Sequence, residues 1–353
     1  MSNFLKEYSG KKILITGHTG FKGTWLARIL VLAGADVYGL ALKAEDNSLF
    51  SLIDNLGLKE SAILDIRNRA EIENYFKKHE FDGIFHLAAQ PLVRRSYKEP
   101  IETFETNVMG TAHILDSAVS NGSAAWIVVI TTDKVYRNVE KLPGYIEDDA
   151  LGGKDPYSAS KAATEMVVSA WQTIANHNNG KIQITSARAG NVIGGGDMAD
   201  DRLIPDLIRG FRAGTKTVIR NPASIRPWQH VLDPLNGYLR MGLALMAGRT
   251  ISPAYNFGPG EESKLTVEEM ADYACAQWEG AKGVEIQIDS KAPHEAGLLW
   301  LSSDLATKEL GWSNRFEARE AIRWTLDWEK AAMQTSALAA LDQQINEFYG
   351  EQI

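Results

Sequence analysis

Thr132-Asp133-Lys134 and Tyr157-Ser158-Ala159-Ser160-Lys161 place two clusters of proton-handling side chains in one stretch of the chain, from Thr131 to Lys161. A Tyr and a Lys four apart share one face of a helix, so the ammonium can sit beside the phenol and favour its anion. An unperturbed tyrosine, with a pKa of about 10, is no base near neutrality. A positioned cation is what would let it take an alcohol proton. Tyr-x-x-x-Lys also arises by chance in many helices, so its meaning depends on what surrounds it.

The preceding elements supply that setting. KKILIT (11 to 16) reads as a buried parallel strand, and Gly17, Gly20 and Gly23, with Phe21 between them, form a loop that opens a helix over 24 to 32. Strand, glycine loop and helix N-terminus together let a backbone approach a pyrophosphate closely and meet its charge with free amides. A second strand (36 to 42) lacks the terminal acid that usually holds an NAD ribose, and Lys43 stands nearby; NAD is nevertheless preferred over NADP. A short strand over 61 to 64 leads to Asp65-Ile66, with Asp65 a candidate for the adenine amino group. FDGIFHLAA (81 to 89) ends in Leu87, Ala88 and Ala89, where the backbone could pass beside a nicotinamide.

VRRSYKEP reads as a polar loop, and 100 to 120 as one long helix with Asn107 inside it. AWIVVIT (125 to 131) then delivers Thr132, Asp133 and Lys134 to the C-terminal edge of the sheet, where ligands bind in such folds. Pro156 opens the helix of Tyr157 and Lys161, and a further strand covers 182 to 187. Alternating strands and helices predict an α/β fold, a Rossmann-type doubly wound parallel sheet with a smaller C-terminal substrate-binding lobe. The expected division is 1–190 for an NAD-binding domain, to which about 228–258 returns, and 191–353 mainly for the lobe and the terminal helices. Helix is expected over 265 to 275, strand over 284 to 288, and one or two helices over 316 to 348. The stretch 197 to 235, broken by prolines and carrying five arginines, reads as a ligand lobe in which Arg226 is the favoured diphosphate clamp.

Composition narrows the classes. The 353 residues are 44% hydrophobic and 23% charged, with one cysteine, Cys275, and a net charge of -8. These values fit an ordinary globular protein without a disulfide framework or a basic nucleic-acid surface. The seven histidines show no metal-ligand spacing. No apolar run approaches the roughly 18 residues of a membrane helix, and no secretory leader opens the chain. A cytoplasmic protein with no metal, no nucleic acid and no membrane partner is expected.

The combined pattern resembles the extended short-chain dehydrogenases/reductases and, within them, the nucleotide-sugar 4,6-dehydratases. Gly17 to Gly23, Asp65-Ile66, Leu87-Ala88-Ala89, Tyr157/Lys161 and Arg188-Ala189-Gly190-Asn191 carry the broad likeness. Lys rather than Glu after Asp133 is similar to the branch that takes CDP-glucose and to some UDP-sugar dehydratases. HLAAQPLVRRSY (86 to 97), GNVIGGGDMADDRLIPD (190 to 206), RPWQHVLDPLNGYL (226 to 239), His294-Glu295-Ala296 and the LGW at 310 to 312 are similar to the CDP-glucose branch. The second-strand loop KAEDNSLF departs from that branch by lacking prolines.

The resemblance implies an enzyme with bound NAD and a nucleotide-sugar substrate, CDP-glucose favoured, that loses water through an internal redox cycle. Tyr157 would take the 4-hydroxyl proton, Lys161 would hold the phenolate and the cofactor, and Thr132 would bond the 4-oxygen. Lys134 would remove the C5 proton while Asp133 protonates the departing 6-hydroxyl, which asks for a neutral Lys134 beside a protonated Asp133. Substrate contacts would come from Gln90, Asn191, Arg202, Leu203, Arg220, Arg226, His230 and His294, and Asn107 would lie on the cofactor side. Pairing through helices near 102 to 120 and 156 to 178 would give a homodimer or homotetramer. A related epimerase or reductase would have no use for Asp133 and Lys134 together. A non-catalytic dinucleotide sensor would need neither cluster.

Overall fold

The computed structural model describes residues 5–177, 182–287 and 298–350. Strand β1 (Lys12–Thr16) is followed by the glycine loop and helix α1 (Phe21–Leu32). Strands β2 (Asp36–Ala41), β3 (Glu60–Ile63) and β4 (Phe81–His86) follow, with α2 (Arg69–Phe76) between the last two. After β4 come α3 (Val93–Lys98) and α4 (Pro100–Phe104), a π turn (Glu105–Gly110), and α5 (Thr111–Asn121). Next are β5 (Ala124–Ile130), α6 (Pro156–His177), β6 (Gln183–Ala189) and, much later, β7 (Ala254–Phe257).

Among the described residues these seven strands form one sheet in the order β7-β6-β5-β4-β1-β2-β3. Every pairing in it is parallel. The order reverses between β1 and β4, so their C-terminal ends open the crevice in which a doubly wound sheet binds its ligand. Side-chain alternation explains why helices cover both faces. Ile13, Ile15, Val128 and Ile130 enter one core with α1 and the C-terminal helices, whereas Leu14, Ile127 and Val129 enter a second core with α2, α5 and α6.

Two sequence expectations need correction here. Residues 93 to 98 are helix α3 rather than a loop, and the predicted single helix from 100 is interrupted by the π turn. The turn holds Asn107, whose main-chain carbonyl accepts from the hydroxyls of Thr111 at 2.7 Å and Thr164 at 2.8 Å. A helix widened by one residue in this way locks onto α6.

Beyond β6, helix α7 (Leu203–Ala213) and three short strand pairs form the lobe: 192–193 with 229–230, 217–219 with 284–286, and 225–227 with 264–266. Helix α8 (Leu232–Met246) returns to the sheet ahead of β7. Helices α9 (Val267–Ala276), α10 (Asp304–Leu310), α11 (Ala318–Gln334) and α12 (Ala337–Tyr349) complete the described chain. Arg28 on α1 clamps Asp342 on α12 through two hydrogen bonds of 2.6 and 2.7 Å, which fixes the terminal hairpin against the cofactor-side helix. Residue 288, the end of the expected strand from 284, lies outside the described residues.

Candidate active site

The loop after β1 is built by close approach. Gly17 has φ +76°, and a Cβ there would lie 2.7 Å from the Ala88 amide nitrogen, while one on Gly23 would lie 2.1 Å from the Gly17 carbonyl oxygen. Larger residues would therefore push the loop off the rim formed by Leu87 and Ala88. Gly20 is the N-cap of α1, with no side-chain cap and no acid in the first turn. The first-turn amides are thus left for an anionic ligand. Phe21 and Leu87 are partly buried beside this loop. Ala88 donates its amide to Thr16 Oγ1 at 3.2 Å, so the ends of β1 and β4 move as one rim. This cradle fits a dinucleotide pyrophosphate. Beyond β3, Asp65 accepts from the Arg67 guanidinium at 2.9 and 2.6 Å and from its amide at 2.9 Å. That pairing holds the Asp65 carboxyl below its usual range. Ile66 gives its carbonyl to His113 at 2.9 Å.

Across the crevice, β5 delivers Thr132 and Asp133 into buried positions. The Thr132 hydroxyl donates to Asp133 Oδ1 at 2.9 Å, and Lys134 Nζ stands 3.7 Å from the same oxygen. Asp133 Oδ2 lies against Gly190, where a Cβ would come within 3.1 Å of it. The acid is thereby held between the end of β5 and the segment after β6, with Lys134 reaching outward beside it.

Tyr157 and Lys161 are both buried on the first turns of α6. Burial pushes the Tyr157 phenol up to about 12, and a hydrogen bond with Thr132 is the largest effect in the opposite direction. Lys161 is drawn down to about 8 by burial, against which Glu165 acts. Its Nζ donates to the Ile130 carbonyl at 3.0 Å. The expected arrangement, with the ammonium acting on the phenol, is therefore modified: Thr132 contacts the phenol, and Lys161 is tied to the strand end.

Three further residues named from the sequence have protein partners. Asn107 Oδ1 accepts from the Gln90 amide at 2.8 Å, and its Nδ2 donates to the Gln90 carbonyl at 3.1 Å and Ser160 Oγ at 2.9 Å. With both amide hydrogens and one acceptor position used, Asn107 braces β4's rim to α6. Gln90 is similarly folded on its own loop, donating to Leu92 O at 3.1 Å and Thr103 Oγ1 at 2.9 Å and accepting from Leu92 N at 2.6 Å. His230 is fully buried among Trp25, Phe316 and Trp324, so it packs the core and offers nothing to a substrate.

The arginines divide. Arg202 pairs with Asp197 at 3.0 Å, and its charge acts on both Tyr157 and Lys22. Leu203 begins α7 and is partly buried, and Asn191 gives its carbonyl to Gln229 at 3.1 Å. Arg220 shares Asp201 with Arg94 (3.1 and 2.9 Å) and lines a cavity of about 450 Å³ with Asp200, Asp206 and Arg209. Arg226 donates to the Ile225 carbonyl at 3.1 Å. His294 lies outside the described residues. Sequence reasoning missed the partly buried Lys22 in the first turn of α1, whose ammonium is drawn down to about 7 by burial, then by Lys161 and Arg202, against Asp133 and Asp197. A lysine between a Phe and a Gly carries no sign of burial until the fold wraps it.

A glycine loop on one side of the switch point and a Tyr-x-x-x-Lys helix on the other define the extended short-chain dehydrogenase/reductase class. Residues 14–325 match the family model described as GDP-mannose 4,6 dehydratase, and the chain belongs to that family. It is 44% identical over 330 residues to the CDP-glucose 4,6-dehydratase of Salmonella typhimurium, covering 92% of each chain. It is 28% identical to the dTDP-glucose 4,6-dehydratase of Shigella flexneri, covering 90% of this chain and 92% of that one. Among solved structures, the dTDP-glucose 4,6-dehydratase DesIV from Streptomyces venezuelae, with NAD bound, superposes with TM-score 0.77 at 25% identity over 92% of this chain and 98% of that one. The epimerase Mth375 from Methanothermobacter thermautotrophicus gives 0.79 at 25% identity, over 94% and 96%.

Proposed function

We propose that this protein converts CDP-D-glucose to CDP-4-dehydro-6-deoxy-D-glucose and water, with NAD as its cofactor. The observation that carries the reading is Thr132-Asp133-Lys134 packed beside Tyr157, with Asp133 buried and Lys134 3.7 Å away. An epimerase has no step that needs this added acid and base. Support for the base of the nucleotide comes from the likeness to the Salmonella CDP-glucose 4,6-dehydratase. NAD, when bound, supplies the oxidant for C4 and returns the electrons at C6.

The chain's own residues would then divide the proton transfers. Tyr157 takes the proton of the sugar 4-hydroxyl, with Thr132 placed to bond the same oxygen, and Lys161 steadies the cofactor side. Once C4 is a ketone, the C5 proton is acidic enough for Lys134 to remove it. Asp133 gives a proton to the 6-hydroxyl, and water leaves across C5 and C6. Gly17, Gly20 and Gly23 hold the pyrophosphate of the dinucleotide, and Arg202, Arg226 and Asn191 face the nucleotide sugar. In this reading residues 1–190 mainly hold the cofactor and 191–353 mainly the substrate.

We also infer a homodimer or larger in the cytoplasm. Ile101, Phe104, Met109 and Met166 expose apolar side chains on α4, the π turn and α6, the face through which two copies would pair. Among the described residues, no helix is long and apolar enough to cross a membrane. The reading is tested by offering the purified protein CDP-, dTDP-, UDP- and GDP-hexoses. A 4-keto-6-deoxy product from CDP-glucose is expected; a 4-epimer, or no product from any of them, would refute it.

A further inference from the structure

Beneath the two proton-transfer clusters lies a carboxylate that the mechanism above leaves unused. Glu165 sits on α6 four residues beyond Lys161 and eight beyond Tyr157, on their face of the helix. One of its oxygens accepts from the Thr131 hydroxyl at 2.5 Å, the residue immediately before Thr132-Asp133-Lys134. The other accepts from Ser186 Oγ at 2.8 Å and Arg188 Nη2 at 2.8 Å, both on β6. Arg188 continues to the Tyr136 hydroxyl at 2.8 Å and the Glu147 carbonyl at 2.9 Å, and Tyr136 donates to Asn256 on β7 at 2.7 Å. The side chains of Arg188 and Glu165 are 5% and 3% exposed.

A buried ion pair is a poor device for stability, because well-packed apolar residues serve as well without the desolvation cost. Its position points to another role. Lys161 meets the Ile130 carbonyl from β5, feels the charge of Glu165 on its own helix, and acts electrostatically on Lys22 from α1 and His86 from β4. Lys22 is a like charge, His86 is held neutral by burial, and Arg188 on β6 stands behind Glu165. Glu165 is thus the acid that opposes the loss of the Lys161 proton.

We propose that Glu165 is a positioning residue for the oxidation step: bonded to Thr131, Ser186 and Arg188, its carboxylate sets a negative charge one helical turn beyond Lys161 and ties α6 to the strand end that bears Thr132, Asp133 and Lys134. The assignment rests on the sugar oxidation proposed above. Removing the charge lets Lys161 lose its proton at lower pH, while the strand end loses a hydrogen-bond anchor.

The test is the pH profile of kcat with CDP-glucose for E165Q, E165D and the double variant E165Q/R188M, which leaves no guanidinium buried alone. For E165Q and the double variant the alkaline limb is expected to move down by about one pH unit, while KM changes little because Glu165 touches no substrate. E165D keeps the charge and is expected to retain the wild-type limb at a lower kcat. An alkaline limb that stays in place in whichever glutamine variant folds, or that E165D moves as far, overturns the assignment. A wild type that turns over no nucleotide hexose overturns the enzymatic reading instead.

Discussion

One carboxylate oxygen of Asp133 lies beside Gly190, where a Cβ would stand 3.1 Å from it and 2.8 Å from Pro227 Cγ. The acid proposed for the elimination is therefore seated by a residue in the segment after β6. Gly190→Ala must displace either Asp133 or the Pro227 turn. The expected result is a loss of about 1–3 kcal/mol of stability from overpacking, read by urea unfolding, and a dehydration rate lowered at least tenfold. Cofactor reduction should suffer less. Unchanged product formation would show that the seat of Asp133 is irrelevant.

Tyr157 and Lys134 serve different steps in this account, so their variants should fail differently. Tyr157→Phe should lower the whole cycle by roughly two to four orders of magnitude, the usual scale of a lost general base, with KM for CDP-glucose little altered. Lys134→Ala should still bind cofactor and reduce it on adding substrate, yet no longer exchange the C5 hydrogen with solvent. Absorbance of the reduced cofactor and deuterium at C5, followed together, separate the two outcomes.

Buried histidines set the acid side of stability. Burial holds His86 and His230 down at about 3, below the ordinary imidazole value of about 6.5. A group depressed on folding favours the native state above its unfolded pKa, and that contribution is lost as pH falls. Stability should therefore decline from about pH 6.5 downward. His230 Nε2 has no partner among Trp25, Phe316 and Trp324. His230→Phe should thus be at least as stable near neutrality and lose less on acidification, measured by urea midpoints at pH 7 and 5.

Asp233 acts with the opposite sign. Burial raises it to about 7, against hydrogen bonds from the Arg315 and Phe316 amides. A carboxyl raised on folding favours the native state below its unfolded pKa of about 4, and the contribution is lost as pH climbs to 7. Asp233→Asn should keep the 2.8 Å bond from Arg315 N while removing that dependence. A variant whose midpoint changes between pH 4 and 7 by the same amount as the wild type's would contradict this.

The exposed apolar face of α4, the π turn and α6 yields a prediction about assembly. Ile101 is 72% and Met166 57% exposed, although both are strongly apolar. Ile101→Glu with Met166→Glu should convert a dimer to monomers by light scattering, without a large change in the thermal midpoint of the protomer. A wild type that is already monomeric would remove the face from consideration.

The chemistry-bearing motifs were legible because their spacing is local. A strand, a glycine loop and a helix are contiguous, as are Thr132 to Lys134, and Tyr157 and Lys161 are one helical turn apart. The sheet was legible for the same reason, since apolar runs alternate with helical ones. Side chains whose role depends on distant partners were not. Asn107 and Gln90 read as ligand contacts, and their bonds to each other, to Ser160 and to Thr103 could not be seen in the sequence. His230 sat in a polar-looking run but is enclosed by rings brought from α1 and the C-terminal helices. Glu165 and Arg188 gave no sign of their pairing, because its partners are spread over α6, β6 and the residue after β5. The helix at 93 to 98 was hidden by charges that lie on its exposed side, Arg95 pairing with Glu99 at 2.6 Å.

The most direct test of the account is turnover of CDP-glucose by the wild-type protein in heavy water, with the product read by NMR. The expected product is the 4-keto-6-deoxy sugar nucleotide carrying one deuterium at C5, with the original C4 hydrogen found at C6. A product that keeps its 6-hydroxyl, or that carries solvent deuterium at C6 in place of the C4 hydrogen, would contradict an internal redox dehydration by Tyr157, Asp133 and Lys134.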